Sequence, residues 1–562
     1  MKIKKALAAI FAATIATVSL TGCFGAPQVN EKMTQLYVFA YDGGYGREYL
    51  NTLYSRFAEA YKDKSYEDGK QGVEIIPTFE LNSSTGTELL DAIDTKRDQL
   101  FVTGYLTPND LMSSGKVMDI TEIVSEPVTE GEGSILDKMD DGLIDYYKTN
   151  TGNRVYGLPL FDAFQGFYYD AGLLDEKKMW IGAGSDDNSI TFVGADGNKS
   201  LGADGIAGTY DDGLPDTYAQ FYLWCDKMQT DKGIIPFTWS GLYKMHFDRA
   251  LTNFWATYEG ADQMALNYTF SGTANNIVTG ISDGNVSVES VDINHENGYV
   301  LQKQAGKYYT TEFAKRVADS SWVYNLAFSD SEDHRAAQTT YISSSVTGSK
   351  PIALFAEGNW WVSEATETFT SYEPYGSGKK DRKFAFLPVP RVSRDLIGTD
   401  TVIVNQTTTN VMFVKKDISE PVKEVIRDFI KFMHTNDNLS MQNRVTGMTK
   451  PYDYTVTESD LAEMDYFTKN LMEMKNSQKV KYLYAASTDR LFLSNYATFT
   501  RSTWECTSRY LDNSDVTTDA SIKVFRDNPT LTAKRYFDGY YLNYSTKAGN
   551  NTKWDVLLNK IL

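Results

Sequence analysis

Short apolar segments alternate with longer amphipathic ones along most of the chain. Residues 73–77, 99–103 and 383–387 are short, largely apolar runs of the kind that form buried strands. Within 422–433, one helical face carries the apolar side chains Val425, Ile426, Phe429, Ile430 and Met433. This alternation of strands and helices predicts a protein of the α/β class.

The start of the chain has the layout of an export signal. A basic stretch at 1–5 precedes an uncharged apolar run at 6–20, which is short for a membrane span. The Leu-Thr-Gly-Cys sequence ending at Cys23 resembles the lipobox of bacterial lipoproteins, in which the cysteine is lipid-modified and becomes the new N-terminus. We expect a signal peptide at 1–22 and a lipid-anchored tether at 23–34, on the outer face of the cell membrane. The alternative is an ordinary signal peptide with an incidental cysteine.

Composition indicates a globular exported protein with an acidic surface. The chain has 562 residues, of which 42% are hydrophobic and 13% aromatic, enough for about two to four domain-sized units. Its formal charge of −19 disfavours nucleic acid and anionic lipid surfaces as partners. Beyond Cys23 only Cys225 and Cys506 remain, too few for a disulfide scaffold, and they either pair or stay as buried thiols.

Motifs of common enzyme chemistry are missing from the sequence. The four histidines lie far apart without a His-Glu-x-x-His pattern, and neither Cys-x-x-Cys nor Gly-x-Ser-x-Gly occurs. Paired carboxylates for glycoside cleavage stay open, because 74 acidic residues offer many pairs and a sequence fixes no distances. The sequence therefore points away from metal-assisted and serine-type hydrolysis.

Aromatic residues stand out instead, with 37 Tyr, 29 Phe and 9 Trp. Many lie beside Asp, Asn, Glu or Gly in the segments 41–46, 158–170, 236–243, 355–361 and 502–505. A sugar ring packs its C–H face on an aromatic ring while its hydroxyls need polar partners, so such segments suit carbohydrate binding. The alternative for any single aromatic residue is a place in the core.

Six segments, read in order, resemble the extracellular solute-binding proteins of carbohydrate ABC importers, the family that includes maltose-binding protein. They are QLYVFAYDGGYGREYLNTLYSRFAEAYK, RDQLFVTGYLTPNDLMSSGKVMDIT, NRVYGLPLFDAFQGFYYDAGLLDE, IALFAEGNWWVSEA, KFAFLPVPR and VKEVIRDFIKFMHTNDNLSMQNRVTGMTKPYDYTV. Asp170 stands where the family has Asn after Tyr, a mild departure. The match is collinear over most of residues 35 to 510.

The resemblance implies a periplasmic-binding-protein-like fold: two α/β lobes joined by a hinge with multiple crossovers. Lobe one is expected at 35–158 plus 390–447, and lobe two at 159–389 plus 448–562. The ligand is expected in the cleft between the lobes, which closes by hinge motion.

The family motifs also carry candidate ligand contacts onto this sequence. The matched positions are Asp42, Tyr45, Tyr105, Asp162, Trp239, Tyr243, Glu357, Trp360 and Trp504. Asp162 is offset by one from the family's polar position, which Ala163 occupies. Trp360 is the strongest candidate for stacking on a sugar ring. Its neighbour Trp361 is expected to pack beneath it, because adjacent residues point in different directions.

The resemblance implies a receptor and not an enzyme. We expect a monomer that captures a carbohydrate, a neutral oligosaccharide in view of the abundant aromatics, and delivers it to the permease subunits of an ABC transporter. A secreted glycan-processing enzyme, and a sugar sensor or adhesin on the same fold, are the alternatives. No cofactor is required by this function.

An Asp/Gly-rich stretch at 181–213 is an insertion relative to the family pattern. Its polar side chains could form a calcium site from Asp196, Asn198, Ser200, Asp204, Asp211 and Asp212. Leu201 and Ala207 stand where an EF-hand needs Gly and Glu, so the stretch is not an EF-hand. The alternative is a set of Asx turns with glycines in left-handed conformation. Either way, we expect a loop that is held on lobe two and does not touch the ligand.

Overall fold

The computed structural model describes residues 29–80, 86–148, 152–347, 350–406, 410–500 and 519–561. Three residues singled out from the sequence, Cys23, Trp504 and Cys506, lie outside these ranges. Within the described ranges, no helix is both long and apolar enough to cross a membrane. Cys225 is buried, and whether it pairs with Cys506 stays open.

Strands are short and spread over most of the chain. They are β1 (Thr34–Tyr41), β2 (Val73–Glu80), β3 (Leu100–Thr103), β4 (Gln165–Asp170), β5 (Trp180–Ile181), β6 (Phe192–Val193), β7 (Ile235–Trp239), β8 (Gly272–Ser282), β9 (Asn285–Ile293), β10 (Ile352–Gly358), β11 (Phe384–Phe386), β12 (Thr401–Asn405), β13 (Val411–Val414), β14 (Val480–Tyr484), β15 (Lys547–Ala548) and β16 (Asn551–Thr552).

Two four-stranded sheets organise the two lobes. The first has the order β13-β3-β1-β2, with β1, β2 and β3 parallel and β13 antiparallel at the edge. The second has the order β11-β4-β10-β7, in which β10 runs parallel to β7 and antiparallel to β4. β3, β4, β10 and β13 are buried along their whole length, as strands covered on both faces should be. The predicted two-lobed α/β class is confirmed.

Helices cover both sheets. The α-helices are Glu48–Ala60, Thr87–Ala92, Pro108–Ser113, Thr121–Ser125, Ile135–Lys138, Asp141–Lys148, Ala171–Lys177, Tyr218–Lys232, Met245–Glu259, Ala261–Thr269, Ala305–Asp319, His334–Ser344, Trp361–Glu364, Thr366–Tyr372, Glu420–Met433, Asn436–Thr446, Glu458–Glu463, Tyr466–Asn476, Arg490–Ser494, Tyr496–Thr500, Ser521–Asp527, Ala533–Ser545 and Lys553–Leu558. Short 3₁₀ helices occur at Ile93–Thr95, Gly298–Lys303, Asn325–Phe328, Glu373–Tyr375 and Arg394–Leu396.

The elements predicted from hydrophobic pattern are present. The segments 73–77, 99–103 and 383–387 coincide with β2, β3 and β11, and the amphipathic segment 422–433 lies within helix Glu420–Met433. The apolar face of that helix is buried as predicted. Phe429 packs edge-on against Phe57 at 5.2 Å between ring centroids, which joins two helices of the first lobe.

The chain passes between the lobes at several places in the described ranges. It leaves the first sheet after β3 for β4, returns from β11 to β13, and leaves again before helix Tyr466–Asn476, which packs against β11. Two of these connections are tied together where the Asp162 amide donates to the Thr449 carbonyl at 3.0 Å. β12 pairs in parallel with β14 as a separate two-stranded ribbon. The predicted residue boundaries of the lobes stay a prediction.

Candidate ligand-binding cleft

The loops that follow the parallel strands of both sheets meet in one cleft. Tyr41 ends β1 and Tyr105 follows β3 in the first sheet, while Tyr243 follows β7 and Trp360 follows β10 in the second. In α/β sheets, ligands bind at the carboxyl ends of the strands, because the loops there converge from neighbouring strands. This edge is therefore where a ligand site is expected.

The cleft has a volume of about 420 Å³ and is lined from both lobes. Its lining residues are Tyr41, Gly43, Gly44, Tyr45, Tyr105, Gln165, Tyr243, Met245, His246, Arg249, His334, Trp360, Glu364, Gln406, Tyr496 and Thr500. Aromatic rings and hydrogen-bonding side chains thus alternate over one concave surface.

The two lobes touch directly at one end of the cleft. Gly44 has a positive φ of 71°, and a Cβ atom there would lie 3.1 Å from Cδ1 of Trp360. Beside it, the Ser363 hydroxyl donates to the Tyr45 carbonyl at 3.0 Å. Glycine is needed at position 44 for both reasons: the left-handed backbone and the close approach of the indole.

Tyr105 presents its ring to the cleft from an unusual backbone conformation. Its φ is +64°, the left-handed region that bulky residues rarely adopt, and its side chain is 45% exposed. Such conformations cost about 1–3 kcal/mol and concentrate at functional sites. The strained turn after β3 thus projects an exposed tyrosine into the cleft.

Two histidines flank Tyr243, and a buried glutamate backs each of them. The Tyr243 ring stacks nearly parallel to His246 at 6.0 Å and lies 5.6 Å from His334. Nδ1 of His246 is 2.5 Å from Oε1 of Glu357, and Nε2 of His334 is 3.4 Å from Oε1 of Glu364. Each imidazole therefore contacts both Tyr243 and the carboxylate of a glutamate.

The pair formed by His334 and Glu364 is electrostatically matched. The hydrogen bond with Glu364 raises the pKa of His334 above its ordinary value despite partial burial. Burial works against ionisation of Glu364, but hydrogen bonds from His334 and Gln338, together with the charge of His334, outweigh it and hold its pKa below the ordinary value. The Gln338 amide donates to Glu364 Oε2 at 2.6 Å.

Four residues expected from the sequence to contact the ligand do line the cleft: Tyr45, Tyr105, Tyr243 and Trp360. Trp361, expected beneath Trp360, is fully buried and packs edge-on against Phe384 at 5.0 Å. The structure thus places the two adjacent tryptophans in different environments. Their roles in ligand binding stay predictions.

Four other candidates do not line the cleft. Asp42 forms an ion pair with Arg47, and Trp239 is a core residue 4.8 Å from Phe247. Glu357 is completely buried beneath His246. The ninth candidate, Trp504, lies outside the described residues. Direct ligand contact by the first three is not supported by their placement.

Asp162, the fourth candidate away from the lining, is a structural hub where the lobes join. Its carboxylate accepts hydrogen bonds from Thr449 Oγ1 at 2.6 Å, Lys475 Nζ at 2.8 Å and the Tyr484 hydroxyl at 3.1 Å. A buried carboxylate needs such partners to remain charged. These hydrogen bonds within the protein occupy the Asp162 carboxylate, so its placement does not support direct ligand contact.

The sequence interpretation missed most of the polar lining. Gln165, His246, Arg249, His334, Glu364 and Gln406 were not singled out. His246 and Arg249 lie one helical turn apart at the start of helix Met245–Glu259, directly after the aromatic segment that ends at Tyr243. Polar residues in the first turn of a helix that follows an aromatic-rich strand are the signal that could have identified His246 and Arg249.

The Asp/Gly-rich insertion folds on the second lobe as a set of turns. The Asp204 amide donates to Asp211 Oδ2 at 2.9 Å, the Ile206 amide to Asp204 Oδ1 at 2.7 Å, and the Gly208 amide to Asp212 Oδ2 at 2.7 Å. Gly202 has a φ of +69°, and a Cβ atom there would collide with Asp211 at 2.4 Å. The bond from Ile206 to Asp204 is that of an Asx turn, and the other two bonds tie the loop to aspartates further along the chain, of which Asp211 is buried.

The remaining candidate calcium ligands are spread over the insertion. Asp196 and Asn198 are exposed, whereas Ser200 is buried. Burial raises the pKa of Asp211 to about 7, and the nearby Asp204 carboxylate adds to that rise. Within the described ranges, no three His, Cys, Asp or Glu side chains are grouped as a metal site requires. Calcium binding by the insertion stays a prediction.

Comparison with known proteins identifies the fold. No protein-family model and no curated protein sequence matches this chain. Among solved structures, a chitin oligosaccharide binding protein is similar at 12% identity and a TM-score of 0.51, with 90% of this chain and 100% of that chain covered.

Two further structures have the same architecture. RafE in complex with raffinose is 10% identical with a TM-score of 0.52, covering 91% of this chain and 99% of its own. A probable secreted solute-binding lipoprotein from Streptomyces coelicolor is 12% identical with a TM-score of 0.52, covering 92% and 100%. The chain therefore has the two-lobed α/β fold of solute-binding proteins, and the fold implied by its sequence motifs is confirmed.

Proposed function

We propose that this protein is a lipid-anchored extracellular receptor that captures a neutral oligosaccharide in its interlobe cleft and delivers it to the permease of an ABC transporter. The observation that carries the proposal is the composition of the cleft. Tyr105 from the first lobe lines it together with Tyr243 and Trp360 from the second, and Tyr45, which is largely buried against Phe161, lies beside them. Rings on both walls can sandwich pyranose units, as carbohydrate binding requires.

The polar lining suits hydroxyl groups. Gln165, His246, Arg249, His334 and Gln406 supply donors and acceptors around the aromatic rings. A volume of about 420 Å³ falls within the range of about 300–1,000 Å³ typical of small-molecule sites. The similar proteins include one solved with raffinose and one named for chitin oligosaccharides, which supports a sugar as the ligand class.

The acid–base groups of the cleft favour binding over glycoside cleavage. Cleavage needs two carboxyl groups, one of which is a general acid with a raised pKa. Glu364 is the one carboxylate among the described lining residues, and its contacts with His334 and Gln338 hold its pKa below the ordinary value. These features support a receptor that returns its ligand unchanged.

The anchored location and the permease partner rest on the sequence. The lipobox-like sequence at Cys23 lies eleven positions before β1 begins at Thr34, so a short tether would hold the first lobe near the membrane. We propose a monomer, which presents its two lobes to the two halves of a permease. Labelling with radioactive palmitate and its loss in Cys23→Ala would test the anchor directly.

Isothermal titration calorimetry of the mature protein tests the sugar assignment. The panel should contain neutral oligosaccharides, with raffinose and chitin oligosaccharides among them, and a uronate-rich oligosaccharide for comparison. We expect saturable one-to-one binding of a neutral member. No heat of binding across the panel would remove the sugar assignment, and accumulation of cleavage products from a bound sugar would replace the receptor by an enzyme.

A further inference from the structure

Glu357 is a fully buried carboxylate directly behind a histidine of the cleft. It lies on β10, opposite Gly166 of β4, in the middle of the second sheet. Its Oε1 accepts the Gly358 amide at 2.9 Å and is 2.5 Å from Nδ1 of His246. The sheet and the amide thus fix the carboxylate against which the imidazole packs.

Burial makes this contact energetically important. A buried carboxylate without partners is costly, and among the described residues Oε2 of Glu357 has no hydrogen-bond partner. The pair with His246 therefore carries much of the compensation for that charge. Nδ1 and Oε1 are within hydrogen-bonding distance but do not meet the angular requirement of a regular hydrogen bond, so a small ring rotation completes the bond.

The hydrogen bond made by one ring nitrogen of a histidine decides what the other nitrogen offers. With Nδ1–H directed to Glu357, the neutral ring has Nε2 as an unprotonated acceptor. His246 lines the cleft beside Tyr243, whose ring is stacked on it. A sugar hydroxyl seated at Tyr243 would find an acceptor of fixed orientation.

We propose that Glu357 is a positioning residue that orients His246 and fixes its tautomer, so that Nε2 accepts a hydrogen bond from a hydroxyl group of the bound ligand. The inference rests on the proposed function, because it assigns a ligand contact within the same cleft. It also revises the sequence interpretation of Glu357: the carboxylate acts through His246 and not on the ligand itself.

The second histidine of the cleft provides an internal comparison. His334 uses Nε2, and not Nδ1, toward its glutamate, at 3.4 Å from Glu364 Oε1. The two imidazoles on either side of Tyr243 thus direct different ring nitrogens to their carboxylates. Glu364 is therefore the matched control position, since its replacement should affect His334 and leave His246 unchanged.

Nitrogen NMR of the mature protein with ¹⁵N-labelled histidine tests the first half of the proposal without any ligand. The His246 resonances are assigned by their loss in His246→Gln. We expect the Nδ1–H tautomer in the wild type near pH 8. Glu357→Leu should shift the tautomer of His246 toward the Nε2–H form. Glu357→Gln should largely preserve the wild-type tautomer, because its amide oxygen can accept the Nδ1–H hydrogen bond. Glu364→Leu should change only the resonances of His334.

Titration with the tightest-binding sugar of the panel tests the second half. Loss of one ligand hydrogen bond should weaken Kd by about 2- to 10-fold in His246→Gln. Glu357→Leu should weaken Kd by a similar factor, and Glu357→Gln by less. The variant that combines Glu357→Leu with His246→Gln should bind the sugar no more weakly than His246→Gln alone, because Glu357 acts through the histidine.

Each result decides whether Glu357 positions the His246 ring or only stabilises the fold. A His246 tautomer that is Nε2–H in the wild type, or unchanged by Glu357→Leu, overturns the proposal, as does an additive loss of affinity in the double variant. If Glu357→Leu fails to fold, Glu357→Gln combined with His246→Gln supplies the same cycle. If the wild type binds no sugar, the proposed function fails, and the NMR result still decides whether Glu357 orients the ring.

Discussion

Gly44 of the first lobe lies directly against the indole of Trp360 of the second lobe, so closely that a methyl group there would have to displace the ring by a few tenths of an ångström. A Cβ atom at position 44 would be 3.1 Å from Cδ1 and 3.3 Å from Cγ of the ring. The absence of a side chain at residue 44 therefore allows the turn after β1 and the turn after β10 to approach each other this closely without displacing the indole. This contact links a wall of the cleft to the relative position of the lobes.

Gly44→Ala should weaken ligand binding. The methyl group must push Trp360 aside, and alanine at a φ of +71° adds backbone strain of roughly 1 kcal/mol. We expect a several-fold increase in Kd by calorimetry. Gly69→Ala is the control, because its φ is +76° but nothing lies within 4 Å of the added methyl group. Equal affinities in the two variants would contradict a role for the Gly44 contact.

Trp360→Ala should reduce affinity by about 1–3 kcal/mol, if stacking on a sugar resembles stacking on a nucleic acid base. The measurement is Kd for the tightest-binding sugar. Trp361→Ala is the contrasting variant: its ring is fully buried, so we expect a loss of about 3–5 kcal/mol in the free energy of unfolding. An unchanged Kd in Trp360→Ala would discard the stacking role.

His434 should make the protein less stable in acid. Burial is the main cause that lowers its pKa from 6.5 to about 3, so the folded protein keeps the ring neutral while the unfolded chain binds a proton. Stability due to this group is therefore complete above about pH 6.5 and falls as the pH drops toward 3, by roughly 1.4 kcal/mol per pH unit.

The measurement is urea unfolding of the wild type and His434→Gln between pH 8 and 4. The free energy of unfolding of each protein is compared with its own value at pH 8, where the His434 ring is neutral in the folded and unfolded states. The wild type should lose stability faster than the variant below pH 6.5. Parallel profiles would show that His434 does not contribute to the acid sensitivity.

If the insertion is held by its own turns, calcium and chelator should leave the thermal midpoint unchanged. One carboxylate oxygen each of Asp204, Asp211 and Asp212 accepts a hydrogen bond from an amide within the insertion, whereas Oδ2 of Asp204 and Oδ1 of Asp212 are buried without a partner among the described residues. Differential scanning fluorimetry with calcium chloride or EDTA checks this. A rise in the midpoint with calcium, absent in Asp204→Asn, would establish the calcium site considered from the sequence.

Much of the fold was predictable because it depends on local pattern. The helix Glu420–Met433 follows from apolar side chains at helical spacing, and its buried residues are those of the predicted face. Family-like motifs added the two-lobed order of the strands. The residue boundaries of the lobes cannot be predicted from local pattern in the same way, because they depend on pairings between distant segments. One example is the pairing of β12 with β14, a strand far along the chain.

The site was predictable only where a side chain's role depends on its place after a strand. Tyr45, Tyr105, Tyr243 and Trp360 follow strand ends and line the cleft. Trp239 and Tyr243 belong to the same aromatic segment, 236–243, and the sequence does not distinguish their roles. Trp239, however, lies within β7 and is buried there. The histidine–glutamate pairs join residues distant in the chain, and such pairing distances are not encoded in local sequence.

The position of β13 has a consequence for biosynthesis. This strand, at residues 411–414, pairs with β3 and completes a sheet whose other strands end by residue 103. The first lobe therefore cannot finish folding until the whole second sheet has been synthesised. Pairing over such a sequence separation is slow, because a long loop must close before the contact forms. During this delay the edge of β3 that β13 covers stays unpaired, so the first sheet remains incomplete until late in synthesis.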